Sequence, residues 1–332
     1  MNITFFIRSK KSAISIDKHF SLLISEIGKS ECVEKYYMPE ECFSLHSVLK
    51  NLKFTFKHRN KSGINHVTGD CHYIILALIG CKTVLTIHDL GFYVSHKKEM
   101  SLLKRYLLYI LQIYLPIKIA DRVIAITEKT KEEILETIPF KKDIQVARHI
   151  SIDEFPFVPK KLDTDNVLIF QSGTAKNKNL DTTMKAVSEL GLKMRILREM
   201  KEYQKELAVS LNLNYTNIYN ITDKQVTEEY INSDIVCMPS LYEGFGAMVI
   251  EAQAVGRPVI TTNLEPMRSV SGGAAYLLED PQNVEEMKQA IIKIIKDEKY
   301  RNELINKGRK NASKYTLMNC AKEHISIYKT FK

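Results

Sequence analysis

Two glutamates with seven residues between them, Glu243 and Glu251, bracket the glycines Gly244 and Gly246 in the stretch SLYEGFGAMVIEAQAVGRPVI, residues 240–260. Glycines let a backbone approach a ligand closely, and a helix starting behind them offers unpaired amides to an anion. Yet the stretch has no cation before Arg257. An ionised carboxylate only accepts hydrogen bonds, and sugar hydroxyls donate them. The spacing therefore suits a ligand whose hydroxyls are held by Glu243 and Glu251 on two sides of a diphosphate. On spacing alone a plainer alternative stands beside it: Glu251 as a carboxylate favoured near a helix start, Glu243 as a solvent-facing turn residue. Val249 occupies the third glycine position of a dinucleotide fingerprint, so a dinucleotide dehydrogenase is not supported.

Two further stretches carry residues of the same chemistry. In FQSGTAKNKNLDTTMKAV, residues 170–187, Gly173 sits in a polar turn and the pair Lys178–Asn179 opens a helix. A lysine there holds a diphosphate by point charge, assisted by backbone amides. In TVLTIHDL, residues 83–90, an apolar run ends on His88 and Asp89. His88 reads equally as a core histidine and Lys178 as an ordinary helix-start residue when each is taken alone.

The elements that must position these residues alternate short β-rich runs with helical stretches. Strands are expected at 3–7, 64–69, 83–89, 122–127 and 144–148, then at 166–172, 193–197, 216–221, 234–240, 258–262 and 274–279. Continuous Val/Ile/Leu runs suit strands covered on both faces, and the repetition argues for parallel sheets wound with helices in two units. The break falls in SIDEFPFVPKKLDTDN, residues 151–166. A helix from Ala247 to Val255 is expected, with Gly256 as its C-terminal cap and Pro258 preventing continuation. From about residue 282 the chain reads as helical, with Gly308 as a break.

The 332 residues carry a formal net charge of +9. Residues 1–160 hold 24 Lys+Arg against 17 Asp+Glu, which places +7 of that charge in the first half. This suits an anionic partner, and equally a lysine-rich composition without specific meaning. A helix around 97–118 adds Lys97, Lys98, Lys104, Arg105 and Lys118 to an apolar run too short to span a bilayer. Such a helix suits an anionic membrane surface, or a core helix with a basic solvated edge. The positive charge lacks the aromatic interleaving of a nucleic-acid patch, so no nucleic-acid partner is expected. Six scattered cysteines with no CxxC spacing argue against a zinc site or disulfide framework and for a cytoplasmic setting. The first residues lack a secretory signal.

Residues 239–262 closely resemble the signature of glycosyltransferase family 4, the retaining nucleotide-sugar transferases of the GT-B fold. The match runs through Pro239, Ser240, Glu243, Gly244, Phe245, Gly246, Glu251, Ala252, Ala254, Gly256, Pro258 and Val259. The stretches around Gly173 and His88 resemble the family too, as do ADRVIAITEKTKEEI and AAYLLEDPQNVEEMKQAI. The resemblance implies two Rossmann-like domains facing across a cleft: residues 1–155 on the acceptor side, 156–312 binding the nucleotide sugar, and a C-terminal helix, 313–332, crossing back to the first domain. It assigns catalysis to His88, Glu243 and Lys178. It assigns donor binding to Gly173, Thr174, Lys178, Asn179, the backbone from Gly244 through Phe245, Gly246 and Ala247 to Met248, and to Glu251 at the ribose. Ser12, Ala13, Asp89 and Thr222 are secondary candidates.

Departures accompany the match. Thr174 stands where many members carry arginine, in a turn that is one residue short, so Lys176 is a substitute cation. Lys11, Ser12 and Ala13 occupy the place of paired glycines in the first turn, Ser269 that of a glutamate, and RHISID (148–153) that of an Asn-Gly link. The reaction implied is metal-independent, retaining transfer of a sugar, of the hexosyl type, from a UDP- or GDP-linked donor, with no cofactor. The acceptor expected is a saccharide or lipid-linked saccharide of bacterial surface polysaccharide synthesis, such as lipopolysaccharide, at the cytoplasmic face of the membrane. The alternatives are a non-catalytic nucleotide-sugar-binding subunit of an assembly complex and a nucleotide-sugar epimerase of the same fold.

Overall fold

The computed structural model describes residues 1–9, 14–41, 44–90 and 101–331. Ser12, Ala13, Lys97 and Lys98 lie outside the described residues. The chain divides into two compact units, Met1–Ser151 with Leu317–Lys332, and Ile152–Thr316.

The first unit begins with β1 (Asn2–Ile7), α1 (Ile14–Ile27), β2 (Cys32–Tyr37), α2 (Leu45–His58) and β3 (Ile64–Val67). A 3₁₀ segment, His72–Leu78, leads to β4 (Lys82–Ile87). Then come α3 (Leu102–Tyr109), a π turn (Ile110–Tyr114), α4 (Leu115–Ile119), β5 (Arg122–Ala125), α5 (Glu128–Thr137) and β6 (Ile144–Val146). The six strands form one parallel sheet in the order β2-β1-β3-β4-β5-β6. Alternation along β1 serves both faces, as strand geometry requires. Phe5 packs with Phe20, and Phe6 joins a separate core with Val67, Ile74 and Ile113. The edge strand β2, CVEKYY, was not expected from the sequence. It pairs with β1 alone and mixes charge with aromatic residues, so it lacks the apolar run that marks a covered strand.

The second unit runs β7 (Leu168–Ser172), α6 (Leu180–Glu189), β8 (Lys193–Leu197), α7 (Glu202–Ser210), β9 (Asn214–Ile218) and α8 (Asp223–Asn232). It continues with β10 (Ile235–Met238), α9 (Ala247–Val255), β11 (Val259–Thr262), α10 (Met267–Ser271), β12 (Tyr276–Leu278), α11 (Val284–Lys296) and α12 (Glu298–Ala312). Its parallel sheet has the order β12-β11-β10-β7-β8-β9. Two parallel six-stranded sheets flanked by helices make this the GT-B class of fold. Gly256 caps α9 at φ +87° as expected. Gly308 breaks nothing, a correction to the sequence reading. It lies inside α12, where an added Cβ would stand 2.9 Å from Gln253 Cγ, so glycine serves close packing there.

The last helix, α13 (Leu317–Tyr328), belongs to the first unit. Cys320, Ala321, Ile327 and Tyr328 complete the core around Phe5 and Phe20. Glu323 pairs with Arg148, and the Tyr328 hydroxyl meets His66 Nδ1 at 2.7 Å.

Candidate functional site

In an open parallel sheet, ligands bind beyond the carboxyl ends of the strands where the winding reverses direction. In the second unit the chain starts at β7, winds outward through β8 and β9, and returns to β10 on the other side. The reversal therefore lies between β7 and β10. Gly173 to Lys178 follow β7, and Leu241 to Gly246 follow β10. Lys178 Nζ and Glu243 Oε1 meet across this point at 2.5 Å. Lys178 lies over Gly173, whose missing Cβ would stand 2.8 Å from Lys178 Cγ, so glycine at φ +100° makes room for the lysine stem. Backbone bonds fasten the two turns: Leu241 N donates to Asn177 O at 2.7 Å, and Asn177 Nδ2 to Tyr242 O at 2.9 Å.

Asn179 is a brace. It sits at φ +51°, its amide donates to Pro239 O at 3.2 Å and Pro281 O at 2.5 Å, and Thr182 donates to its Oδ1 at 2.9 Å. Thr174 spends its hydroxyl on Glu199 O at 2.8 Å. Thr222 caps α8 in a box with Gln225. Phe245 is buried with its ring against Tyr315. Gly246, at φ +93°, leads into α9, and Ala247 and Met248 begin it. Their amides lie outside the helical ladder, where the helix dipole favours an anion. Arg257 is structural: its buried guanidinium donates to the carbonyls of Val158, Gly256 and Ile231 at 2.9, 3.1 and 2.7 Å.

On α9, Glu251 receives a bond that the sequence did not announce. The buried Tyr230 hydroxyl of α8 donates to Glu251 Oε2 at 2.5 Å. Burial and then the neighbouring carboxylate push the phenol well above its ordinary pKa, so it stays a donor. No local pattern around Tyr230 signals this, because the pairing depends on α8 and α9 lying side by side.

In the first unit the reversal lies between β1 and β3. Arg8, just past β1, forms an ion pair with Asp70, just past β3. Neither was singled out from the sequence. His88 follows β4 and is buried. Its Nε2–H donates to Thr68 O at 2.7 Å, which leaves Nδ1 as the lone-pair nitrogen. The ring stands against the place of a Cβ on Gly69, 2.5 Å from Cδ2, so only glycine fits beside it. Burial lowers the pKa of His88, against the opposing pull of Asp70, and the imidazole is neutral at pH 7. Asp89 is half-buried beside it. Among the described residues, no three of His, Cys, Asp and Glu gather to hold a metal ion.

The profile of "Glycosyl transferases group 1" matches residues 151–311, and that of "Glycosyltransferase Family 4" matches residues 36–149. An O-antigen chain mannosyltransferase B of Escherichia coli is 29% identical over 109 residues, 33% of this chain and 28% of that protein. The chain spans about a third of the length of the curated relatives it matches. A sucrose-phosphate synthase from Thermosynechococcus elongatus superposes with a TM-score of 0.81 at 15% identity, covering 99% of this chain and 98% of that one. Anabaena Alr3699/HepE in complex with UDP and glucose superposes with a TM-score of 0.76 at 14% identity, over 100% of both chains. At these identities the superpositions establish the fold.

Proposed function

Because the chain belongs to glycosyltransferase family 4, we propose that it transfers a sugar from a nucleotide diphosphate sugar to an acceptor hydroxyl with retention of configuration. The observation that carries this reading is the Lys178–Glu243 pair at the reversal point of the second sheet, with Glu251 oriented by Tyr230 one helix behind it. The difficult step is separation of an oxocarbenium-like sugar from a departing diphosphate. Preorganised charge and amides aimed at the diphosphate lower that barrier most. Lys178 and the first amides of α9 take the diphosphate, Glu243 takes donor-sugar hydroxyls, and Glu251 takes those of the ribose. His88 accepts a sugar hydroxyl at Nδ1. Attack on the same face as the leaving phosphate, without a metal ion, is the route the family resemblance implies.

The acceptor in this reading is a lipid-linked saccharide, and the protein rests on an anionic membrane surface. Helix α2 supports this. Its buried positions Ser47, Asn51 and Thr55 are polar and Val48, Leu52 and Phe54 pack half-buried on the core, while Leu45, Leu49 and Phe56 face outward, Leu45 at 78% exposure. Lys50, Lys53 and Lys57 flank them. Helix α3 buries none of its residues and exposes Leu102, Leu103, Tyr106 and Leu107 beside Lys104 and Arg105. Apolar side chains edged with cations suit a headgroup boundary. Among the described residues no helix is long and apolar enough to cross a membrane.

The experiment is to incubate the purified protein with a panel of UDP- and GDP-sugars, with and without lipid-linked saccharide acceptors, in the presence of EDTA. Acceptor-dependent release of nucleotide and a product anomer matching the donor are expected. Absence of turnover and of donor hydrolysis across the panel favours a non-catalytic binding subunit.

A further inference from the structure

We propose that Arg198 is a donor-binding residue whose guanidinium engages the phosphates of the nucleoside diphosphate. This rests on the reading that the carboxyl edge of the second sheet takes a nucleotide sugar.

Arg198 is the first residue beyond β8, on the strand next to β7. Ser172 pairs with Leu197, Gly173 N donates to Leu197 O at 2.8 Å, and the Thr174 hydroxyl donates to Glu199 O. The arginine thus lies one turn over from Gly173 on the same sheet edge. Its backbone is strained, with φ +89°. The other non-glycine residues at positive φ among the described residues are Asp70, Asn179, Asn212 and Asn220. Asp and Asn tolerate that region because their short side chains bond the local backbone, and a long side chain has no such compensation.

Strain of this kind persists only where the surroundings enforce it, and it gathers at functional sites. Asn217 enforces it here. Its amide donates to Arg198 O at 2.7 Å and Ile196 O at 3.0 Å, while Met200 N donates to its Oδ1 at 3.2 Å. Arg198 N donates to Ile218 O at 2.8 Å.

The exposed guanidinium itself makes no ion pair or side-chain hydrogen bond among the described residues, whereas Arg195 three residues earlier pairs with Glu229. Its positive charge reaches the Tyr230–Glu251 pair, where it opposes the upward push on the phenol. The charge balance of the edge explains the need. Lys178 is already matched by Glu243, and Thr174, which stands where many family members carry arginine, commits its hydroxyl to Glu199 O. Lys176, the substitute suggested by the sequence, lines a cavity of about 400 Å³ together with Asp181, Lys201 and Gln282.

The test uses Arg198→Gly, which suits the backbone and removes the cation. Calorimetry and thermal shift are run with UDP and GDP, and with uridine and guanosine as phosphate-free counterparts. Arg198→Gly is expected to melt at or above the wild-type temperature and to bind the preferred diphosphate about tenfold or more weakly, the effect of losing a charged hydrogen bond. Nucleoside affinity is expected to be unchanged in Arg198→Gly. Equal diphosphate affinity in wild type and Arg198→Gly overturns the assignment of Arg198 alone. An equal loss for nucleoside and diphosphate overturns the phosphate contact. A wild-type protein that binds neither UDP nor GDP overturns the donor-site reading and this inference with it.

Discussion

Lys178 and Glu243 close a 2.5 Å ion pair between the turn after β7 and the turn after β10, with side chains 25% and 13% exposed. Each neutralises the other, so an anion drawn to Lys178 competes with Glu243, and a hydroxyl drawn to Glu243 competes with the ammonium. The negative charge beside the glycine turn is answered from another part of the chain, 65 residues away in sequence.

Replacing either member separates binding from turnover. Lys178→Ala is expected to lower kcat/KM about a hundredfold or more, the cost of losing one preorganised partner of a developing anion. Glu243→Gln is expected to slow turnover with little change in donor KM. Steady-state kinetics on the preferred donor read both effects, and wild-type rates in the two variants would sink the assignment.

Glu251 and Tyr230 act as a unit. Glu251→Ala is expected to weaken nucleotide binding. Tyr230→Phe keeps the carboxylate and removes its orienting donor, for a loss of about 1 kcal/mol, or roughly fivefold in affinity. Tyr230→Phe is a positioning change, so calorimetry should show weaker nucleotide binding while kcat at saturating donor stays near the wild-type value. A change in kcat with unaltered affinity would contradict it.

The first unit carries a built-in acid limit. His66, His88, His149 and His324 are buried around Phe20, and burial foremost lowers the pKa of each. Their folded pKa values lie below the unfolded value of about 6.5, so the unfolded chain binds more protons. Stability is then fully present above about pH 6.5 and falls as the pH drops through that value toward the folded pKa values. Thermal unfolding should show a flat Tm from about pH 7 to 8 and a steep decline below about pH 6. His324→Gln should shallow the decline. A pH-independent Tm down to about pH 5 would exclude this account.

Membrane attachment is read by co-sedimentation with vesicles of phosphatidylcholine and phosphatidylglycerol. The wild-type protein is expected to bind the anionic vesicles and to release as salt rises, because surface charges are screened within about 10 Å at 0.1 M salt. Replacing Leu45, Leu49 and Phe56 with serine should abolish binding without lowering Tm, since those side chains are exposed. Retained binding would point away from α2.

Much of this protein was legible in its sequence. Period and composition determined two parallel α/β units, because strands covered on both faces must be continuously apolar, as in β4 and β10. Glycine chemistry determined the turn after β10 and the helix behind it, since backbone freedom is a local property, whereas the donor roles of Glu243 and Glu251 came from the family resemblance. The tertiary structure decided what depends on strand order and side-by-side helices. It set the reversal points that bring Lys178 to Glu243 and Arg8 to Asp70, the bond from Tyr230 to Glu251, and the brace by which Asn217 holds Arg198. It also decided that Arg257 and Asn179 serve the scaffold and that Gly308 stays within a helix. Partners distant in sequence meet only when the sheet winds, so no local pattern announces them.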